Sequence, residues 1–297
     1  MIVTEIYNGQ GLGNQLACYV TTRVVAKDLG FDFGIMNPHK FKCLDFMNLD
    51  FGLPVTGGSG REGGPPDTLP DGIQHYFKER YNVLPNGSNV TIDDPNLELI
   101  QDNTKIDGIF QSEDRIIHRR DEIRQWLKVK PEKDCYDYSD PNICIINYRG
   151  GEYASVADFH LNGKYWEYAI KKMQTINLNF RFVVITDDVE RASAQFPDFE
   201  VKHFDVGTDF SIIKNAYYLI LSNSSFPYFA TLLSDTVKYI LAPKYWGRHN
   251  ISNDYWSCGY NIFRDHVYID REGTLFGYDE CVKEFEGYKK LDPNFWK

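Results

Sequence analysis

From Ile143 onward the chain alternates short apolar runs with stretches of helical periodicity, and this alternation limits the fold more than any other feature. Strands are expected at Ile143–Tyr148, Phe180–Ile185, Glu200–Phe204, Tyr218–Leu221 and Val237–Leu241. Between them lie a helix with Tyr165, Trp166, Ala169, Ile170 and Met173 on one face, a short helix after 186-TDD-188, a helix from Asp209 and a helix from Ser224. Strands separated by helices argue for a parallel sheet covered on both faces. In such sheets ligands bind outside the carboxyl ends of the strands.

The first part of the chain opens in the same way. A strand at Ile2–Tyr7, a glycine turn, a helix carrying Leu16, Val20 and Val24 at four-residue spacing and a strand at Phe31–Met36 make a βαβ beginning. The stretch 56-TGGSGREGGPPDTLPDG-72 reads as a long exposed loop. The polar segment 130-KPEKDCYDYSDPN-142 is bracketed by prolines, so the boundary is placed there: residues 1–138 form one α/β domain and 139–297 a second, Rossmann-like one.

Composition excludes some functions. At 297 residues and 42% apolar content, two modest cores are affordable. A formal charge of -10 argues against a nucleic-acid partner, whose backbone demands clustered lysine and arginine. The six cysteines are scattered without a CxxC pair and are expected to be reduced thiols. The opening MIVTEIYNGQ moves straight into a strand, and no apolar run reaches the length of a membrane span. A cytoplasmic protein is expected, with a peripheral association with a membrane left open. The sequons at Asn86, Asn89, Asn223 and Asn250 are then accidental.

The carboxyl-end rule gathers the chemistry-bearing residues. Arg149 follows the Ile143–Tyr148 strand, Asp187 and Asp188 follow another, and Asn223, Ser224 and Ser225 follow a third. Serines at a helix start, with Pro227 in the first turn and free backbone N–H groups, suit an anion, and Arg149 supplies a planar fork of donors. The blander alternative is that the serines cap a helix and Arg149 pairs with a surface acid. The turn 9-GQGLGNQ-15 approaches the dinucleotide fingerprint, but Asn14 stands at the third glycine. There is no phosphate loop of the G-x-x-x-x-G-K-[ST] kind and no Asp-x-Asp, so a bound metal is not expected.

Taken in order, 11-GLGNQL-16, 147-NYRGGEY-153, 186-TDD-188 and 209-DFSIIKNAYYLILSNSSF-226 resemble the alpha-1,2-fucosyltransferases of cell-surface polysaccharide synthesis, within a superfamily that includes alpha-1,6- and protein O-fucosyltransferases. The resemblance implies a GT-B fold, two Rossmann-like domains facing across a cleft. It also implies an inverting transfer from GDP-fucose to a glycan hydroxyl, with no metal and no cofactor beyond the GDP-sugar itself. By matching position, Arg149 would contact the donor pyrophosphate. Ser224 and Ser225 would hold phosphate oxygens beside Phe226, and Asp209 would hydrogen-bond the guanine. Gly11, Gly13 and Asn14 would form the wall contributed by the acceptor-side domain 1–138, with Asn14 close to the reacting centre.

The chain departs from the family at one motif. Asn147-Tyr148-Arg149-Gly150-Gly151-Glu152 stands where the family has His-Val-Arg-Arg-Gly-Asp, so one arginine replaces two and donors other than GDP-fucose stay open. Asn147 keeps a donor and an acceptor for a base. Glu152, Asp158 and His160 are the candidates for general base, with Glu152 put first. Two alternatives stand beside transfer: a catalytically degenerate protein that binds nucleotide or glycan, and a nucleotide-dependent oxidoreductase using 9-GQGLGNQ-15. Trp246, Trp256 and Trp296 are considered as sugar-stacking surfaces against the commoner packing role.

Overall fold

The computed structural model describes residues 1–59, 68–83, 89–92, 94–252, 256 and 261–291. The chain divides into two compact units after Lys128. This lies ahead of the expected 138/139 boundary because the intervening segment is tied to the second unit. Asp134 accepts from Ser211 and Asn215 and pairs with Lys214, and Ser139 donates to the Asn215 carbonyl.

The first unit contains β1 (Ile2–Glu5), α1 (Leu12–Leu29), β2 (Phe33–Met36), β3 (Gly57–Ser59), β4 (Thr68–Pro70), β5 (His75–Lys78), β6 (Tyr81–Val83), β7 (Asn89–Thr91), β8 (Thr104–Asp107) and the short helices α2 (Glu113–Ile116) and α3 (Arg120–Trp126). Its main sheet has the order β2-β1-β8-β5 and all its pairings are parallel. Helix α1 is buried at Leu16, Val20 and Val24, as the spacing predicts, but also at Tyr19, Thr21 and Thr22 on its other side. It stops at Gly30, whose φ of 73° is the left-handed conformation that a side chain disfavours. Ile2, Cys18, Val25, Ala26, Ile106 and Phe110 share one core. The expected loop at 56–72 instead begins and ends in strands: β3 and β4 pair antiparallel, Gly57 opposite Pro70, while residues 60–67 lie outside the described residues. The Gly-Gly-Ser of β3 and the proline ending β4 hide these strands from a propensity reading.

The second unit runs β9 (Ile143–Tyr148), α4 (Gly163–Ile176), β10 (Arg181–Thr186), α5 (Val189–Gln195), β11 (Glu200–Lys202), α6 (Val206–Asn215), β12 (Tyr218–Ile220), α7 (Ser225–Leu232), β13 (Tyr239–Pro243), β14 (Val267–Ile269), β15 (Leu275–Phe276) and α8 (Tyr278–Leu291). The sheet order is β11-β10-β9-β12-β13-β14-β15, parallel except for the β14/β15 pair. The chain steps outward from β9 to β11, returns to the other side of β9 as β12, and steps outward again. The gap between the carboxyl ends of β9 and β12 is therefore a topological switch point, where sheets of this kind open a crevice. Buried Cys144, Ile146 and Val184 of the sheet meet Trp166, Ala169 and Met173 of α4 and Phe196 beyond α5.

Every helix the sequence predicts here is present, with one shifted start. Helix α6 begins at Val206 rather than Asp209, because the Asp205 carboxylate accepts from the Gly207 and Thr208 N–H groups and caps the helix a turn earlier. Each unit is thus an α/β structure carrying its own mainly parallel sheet.

Candidate anion site at the switch point of the second unit

The last residues of β9 and the start of α7 are locked together before any ligand is considered. Asn147 offers its side-chain oxygen to the Ser222 hydroxyl at 2.8 Å and its carbonyl to the Ser222 N–H at 3.0 Å, all of it buried. Asn147 thus spends its acceptor on the sheet. Asn223 is buried and donates to the Phe159 carbonyl at 3.0 Å, which also rules it out as a glycan carrier. Ser224 caps α7, its hydroxyl accepting from the Phe226 N–H. Ser225 is half-buried on the first turn, and the half-buried Phe226 ring packs edge-on against Phe210 at 5.6 Å.

Arg149 emerges at the end of β9 and is about a third exposed. Its Nη1 lies 2.5 Å from Asp187 Oδ2 and its Nη2 3.1 Å from Glu152 Oε1. The other Asp187 oxygen accepts the Gly150 N–H at 2.9 Å, so one carboxylate grips both the turn and the guanidinium. The Arg149 head also sits 5.4 Å from the Tyr153 ring centre. Burial pushes the Tyr153 hydroxyl above its ordinary pKa, against the lowering effects of Arg149 and of a hydrogen bond with Ser224. Arg149, Asp187, Glu152, Tyr153 and Ser224 thus form one contiguous polar group at the switch point.

The two glycines are required by the acids. A Cβ on Gly150 would stand 2.5 Å from Asp188 Cβ, and one on Gly151 would stand 2.5 Å from Asp187 Oδ2. Asp188, the N-cap of α5, thus crowds the position at which any side chain on Gly150 would begin.

Asp209 lies beside the loop that leaves β11. Its Oδ2 meets His203 Nδ1 at 2.9 Å and its Oδ1 accepts the Phe204 N–H at 3.1 Å. Burial raises its pKa against the lowering pull of those two contacts. In this structure the Asp209 carboxylate holds the 203–205 loop.

Sequence reasoning missed Arg248. It lies five residues beyond β13 and is 6% exposed, yet neither Nε nor Nη1 has a hydrogen-bond partner. Only its place just past a strand's carboxyl end signalled it. The neighbouring aromatics are not exposed: Trp246 and Trp256 are buried, stacking edge-on against Phe263 and Tyr268, so neither offers a sugar-stacking face, and Trp296 lies outside the described residues. Asp158 and His160 are half-buried on the loop after Arg149.

In the first unit, Gly11 is the N-cap residue of α1, Gly13 is buried, and Asn14 Oδ1 accepts from Gln111 Nε2 at 2.7 Å. Gln15 braces the next segment, donating to the Lys40 carbonyl and accepting the Lys42 N–H. At the carboxyl ends of β1 and β8, buried Lys105 Nζ lies 2.7 Å from Glu5 and 3.5 Å from Asp107, with the Tyr7 hydroxyl bridging to Asp107 at 3.1 Å. Tyr7, Gln10 and Asp107 border a cavity of about 350 Å3. Among the described residues, no group of three or more His, Cys, Asp or Glu could hold a metal ion, and no helix is long and apolar enough to cross a membrane.

No protein-family model matches the chain, and no curated protein matches it. Among solved structures, it resembles the NodZ alpha-1,6-fucosyltransferase soaked with GDP-fucose, at 14% identity over 82% of this chain and 94% of that one with a TM-score of 0.46. It also resembles a family 9 glycosyl transferase from Veillonella parvula, at 13% identity over 98% and 96% with a TM-score of 0.49. A third is POFUT1 in complex with GDP, at 9% identity over 81% and 97% with a TM-score of 0.42. These likenesses concern the course of the chain and nothing that the neighbours bind.

Proposed function

We propose that this protein is an inverting glycosyltransferase that moves a sugar, fucose before others, from a GDP-sugar to a glycan hydroxyl in the cytoplasm. The observation that carries the proposal is that, at the second unit's switch point, Tyr153 lies under Arg149 and hydrogen-bonds Ser224, the cap of α7, so that one residue joins the arginine to the helix start. An arginine fork and a helix N-terminus together neutralise the charge that develops on a departing diphosphate. Residues 139–297 would hold the donor and residues 1–138 the acceptor.

In this mechanism an acceptor hydroxyl attacks the anomeric carbon as the bond to the diphosphate breaks. Arg149 reaches the diphosphate by exchanging its exposed partner, Glu152, for phosphate oxygens while Asp187 continues to hold the turn. Glu152, 73% exposed on its side chain, loses little by that exchange and is then available as the base. Ser224 and Ser225 contribute hydroxyls, and Phe226 lies beside them. Asp209 reads guanine with whatever acceptor capacity remains beside His203 and Phe204. Gly11, Gly13 and Asn14 would serve the acceptor in the first unit. The mechanism routes no step through a metal.

A second reading has its own support. Arg149 is engaged by two carboxylates and has no arginine neighbour, which suits a protein that retains nucleotide or glycan but no longer transfers. A thermal-shift panel of GDP, GDP-fucose, GDP-mannose, UDP and NAD, followed by assay of GDP release, separates the two. Stabilisation by GDP with turnover of any GDP-sugar supports transfer, and stabilisation without turnover supports binding alone. Stabilisation by NAD alone would sink both.

A further inference from the structure

We infer that Arg248 is the second cation of the same site, reaching the phosphates of the nucleotide from the far end of the loop that starts at Arg149. The inference rests on the functional proposal above and adds a residue that no motif marks. A buried guanidinium is expected to have its donors satisfied, since an unpaired buried charge is among the costliest arrangements in a folded chain. Arg248 breaks that rule, with Nε and Nη1 both buried and unpartnered. Burial draws its pKa down, and the nearby Asp158 charge only partly opposes that. A group kept in that state fits a site whose partner arrives from solution.

Placement ties Arg248 to the switch point. It follows β13, the strand beside β12, and so stands at the same carboxyl edge as Ser224. Its neighbour Asn250 donates to the carbonyls of Ala157 and His160, fastening this segment to the loop that starts at Arg149. Along that loop Tyr153, beneath Arg149, packs on Phe159 at 5.6 Å, and Phe159 in turn receives Asn223. The loop therefore runs between the two arginines, Arg149 at its start and Arg248 beside Asp158 near its end. His160 Nδ1, on the same loop, is likewise buried without a partner. The ligand chemistry this fits is a diphosphate, whose charge two separated guanidinium groups can share.

The test uses the full chain and calorimetric titration with inorganic pyrophosphate, GDP and guanosine, for the unaltered protein, Arg248→Met and Arg248→Lys, with the melting temperature of each empty protein. Methionine keeps much of the buried bulk but no charge. Loss of a charge-assisted contact should weaken pyrophosphate and GDP binding about tenfold or more, with guanosine unchanged. The melting temperature of empty Arg248→Met should hold or rise, because an uncompensated buried charge is removed; a structural arginine would instead lower it. Lysine should recover only part of the affinity. Pyrophosphate affinity unaltered in Arg248→Met overturns the inference while leaving the functional proposal standing. If the methionine variant does not fold, unaltered affinity in Arg248→Lys does the same. Failure of the unaltered protein to bind either GDP or pyrophosphate overturns both.

Discussion

Asp187 holds Arg149 by the head and by the root: its Oδ2 lies 2.5 Å from Nη1, and its Oδ1 accepts the N–H of the next residue, Gly150, at 2.9 Å. The guanidinium is thus aimed before a ligand arrives. Preorganised charge of this kind loses little on binding.

Arg149→Ala should therefore lower turnover of the best GDP-sugar by roughly a hundredfold or more, since charge developing on the leaving group loses its cation. Folding should hardly change, because ion pairs at this exposure contribute about 0–1 kcal/mol. Arg149→Lys should recover poorly. GDP release measured beside the melting temperature decides the matter, and normal turnover by the alanine variant would leave Arg149 a structural ion-pair partner.

Gly150→Ala should destabilise the protein by roughly 1–3 kcal/mol, the usual cost of forcing atoms into filled space. The new Cβ would meet Asp188 Cβ at 2.5 Å. Combining it with Asp188→Gly should restore most of the loss, as glycine at an N-cap costs only a few tenths of a kcal/mol. Denaturant titration of the two single variants and the double variant gives the coupling; strict additivity would mean that the predicted clash is relieved some other way.

The switch point was legible because β9 opens with the four-residue apolar run Ile-Cys-Ile-Ile, bounded by Pro-Asn before and followed after Asn147-Tyr148 by Arg-Gly-Gly, a pattern that suits a buried strand in this alternation. Strands β14 and β15, three and two residues long, are too short to carry a period, and the sequence reading passed over them. Asp205 and Asp209 look equally able to start α6; Asp205 caps it, while the buried Asp209 carboxylate is taken up by His203 and the Phe204 N–H. Gly150 reads in sequence as a mere gap in a motif, whereas the structure shows Asp188 packed where its side chain would start. Arg248 had only its place past a strand end to mark it, since what sets it apart is that its buried Nε and Nη1 lack hydrogen-bond partners, a property of three dimensions that no local pattern encodes.

Acid should weaken the fold through two histidines. Burial pushes His249 down to about 4 and His266 down to about 3, from 6.5 in the unfolded chain. With the folded values depressed, the unfolded state binds the extra protons below pH 6.5, so stability is highest above that value and falls as pH drops toward the folded pKa. Each histidine should contribute a slope of roughly 1.4 kcal/mol per pH unit in that window. His266→Phe, in a pocket already lined by Tyr228, Phe263 and Tyr268, should flatten the slope by about one proton. Denaturation midpoints at intervals from pH 7.5 to 5 test this, and an unchanged slope would show that His266 charges freely.

Lys105→Met should be among the most damaging changes in the first unit. It strands Glu5 and Asp107 as buried acids around an apolar side chain, and breaking such a cluster from one side costs about 3–5 kcal/mol. Adding Glu5→Gln and Asp107→Asn should recover a large part. If the single variant melts with the unaltered protein, the three groups are better hydrated than their burial indicates.

Strand β1 lies between β2 and β8, Ile2 facing Phe33 on one side and Thr104 on the other. Its second partner is made about a hundred residues after it. A growing chain that has reached only Ser59 possesses β1, α1 and β2, but one edge of β1 is open and Ile2, Cys18 and Val25 lack Ile106 and Phe110. During synthesis the first unit therefore waits, with an apolar edge that other chains can pair with, until Asp107 is available. Protease protection of ribosome-arrested chains should appear abruptly once β8 has emerged, which makes the 104–107 segment the point where nascent chaperones matter most to this protein.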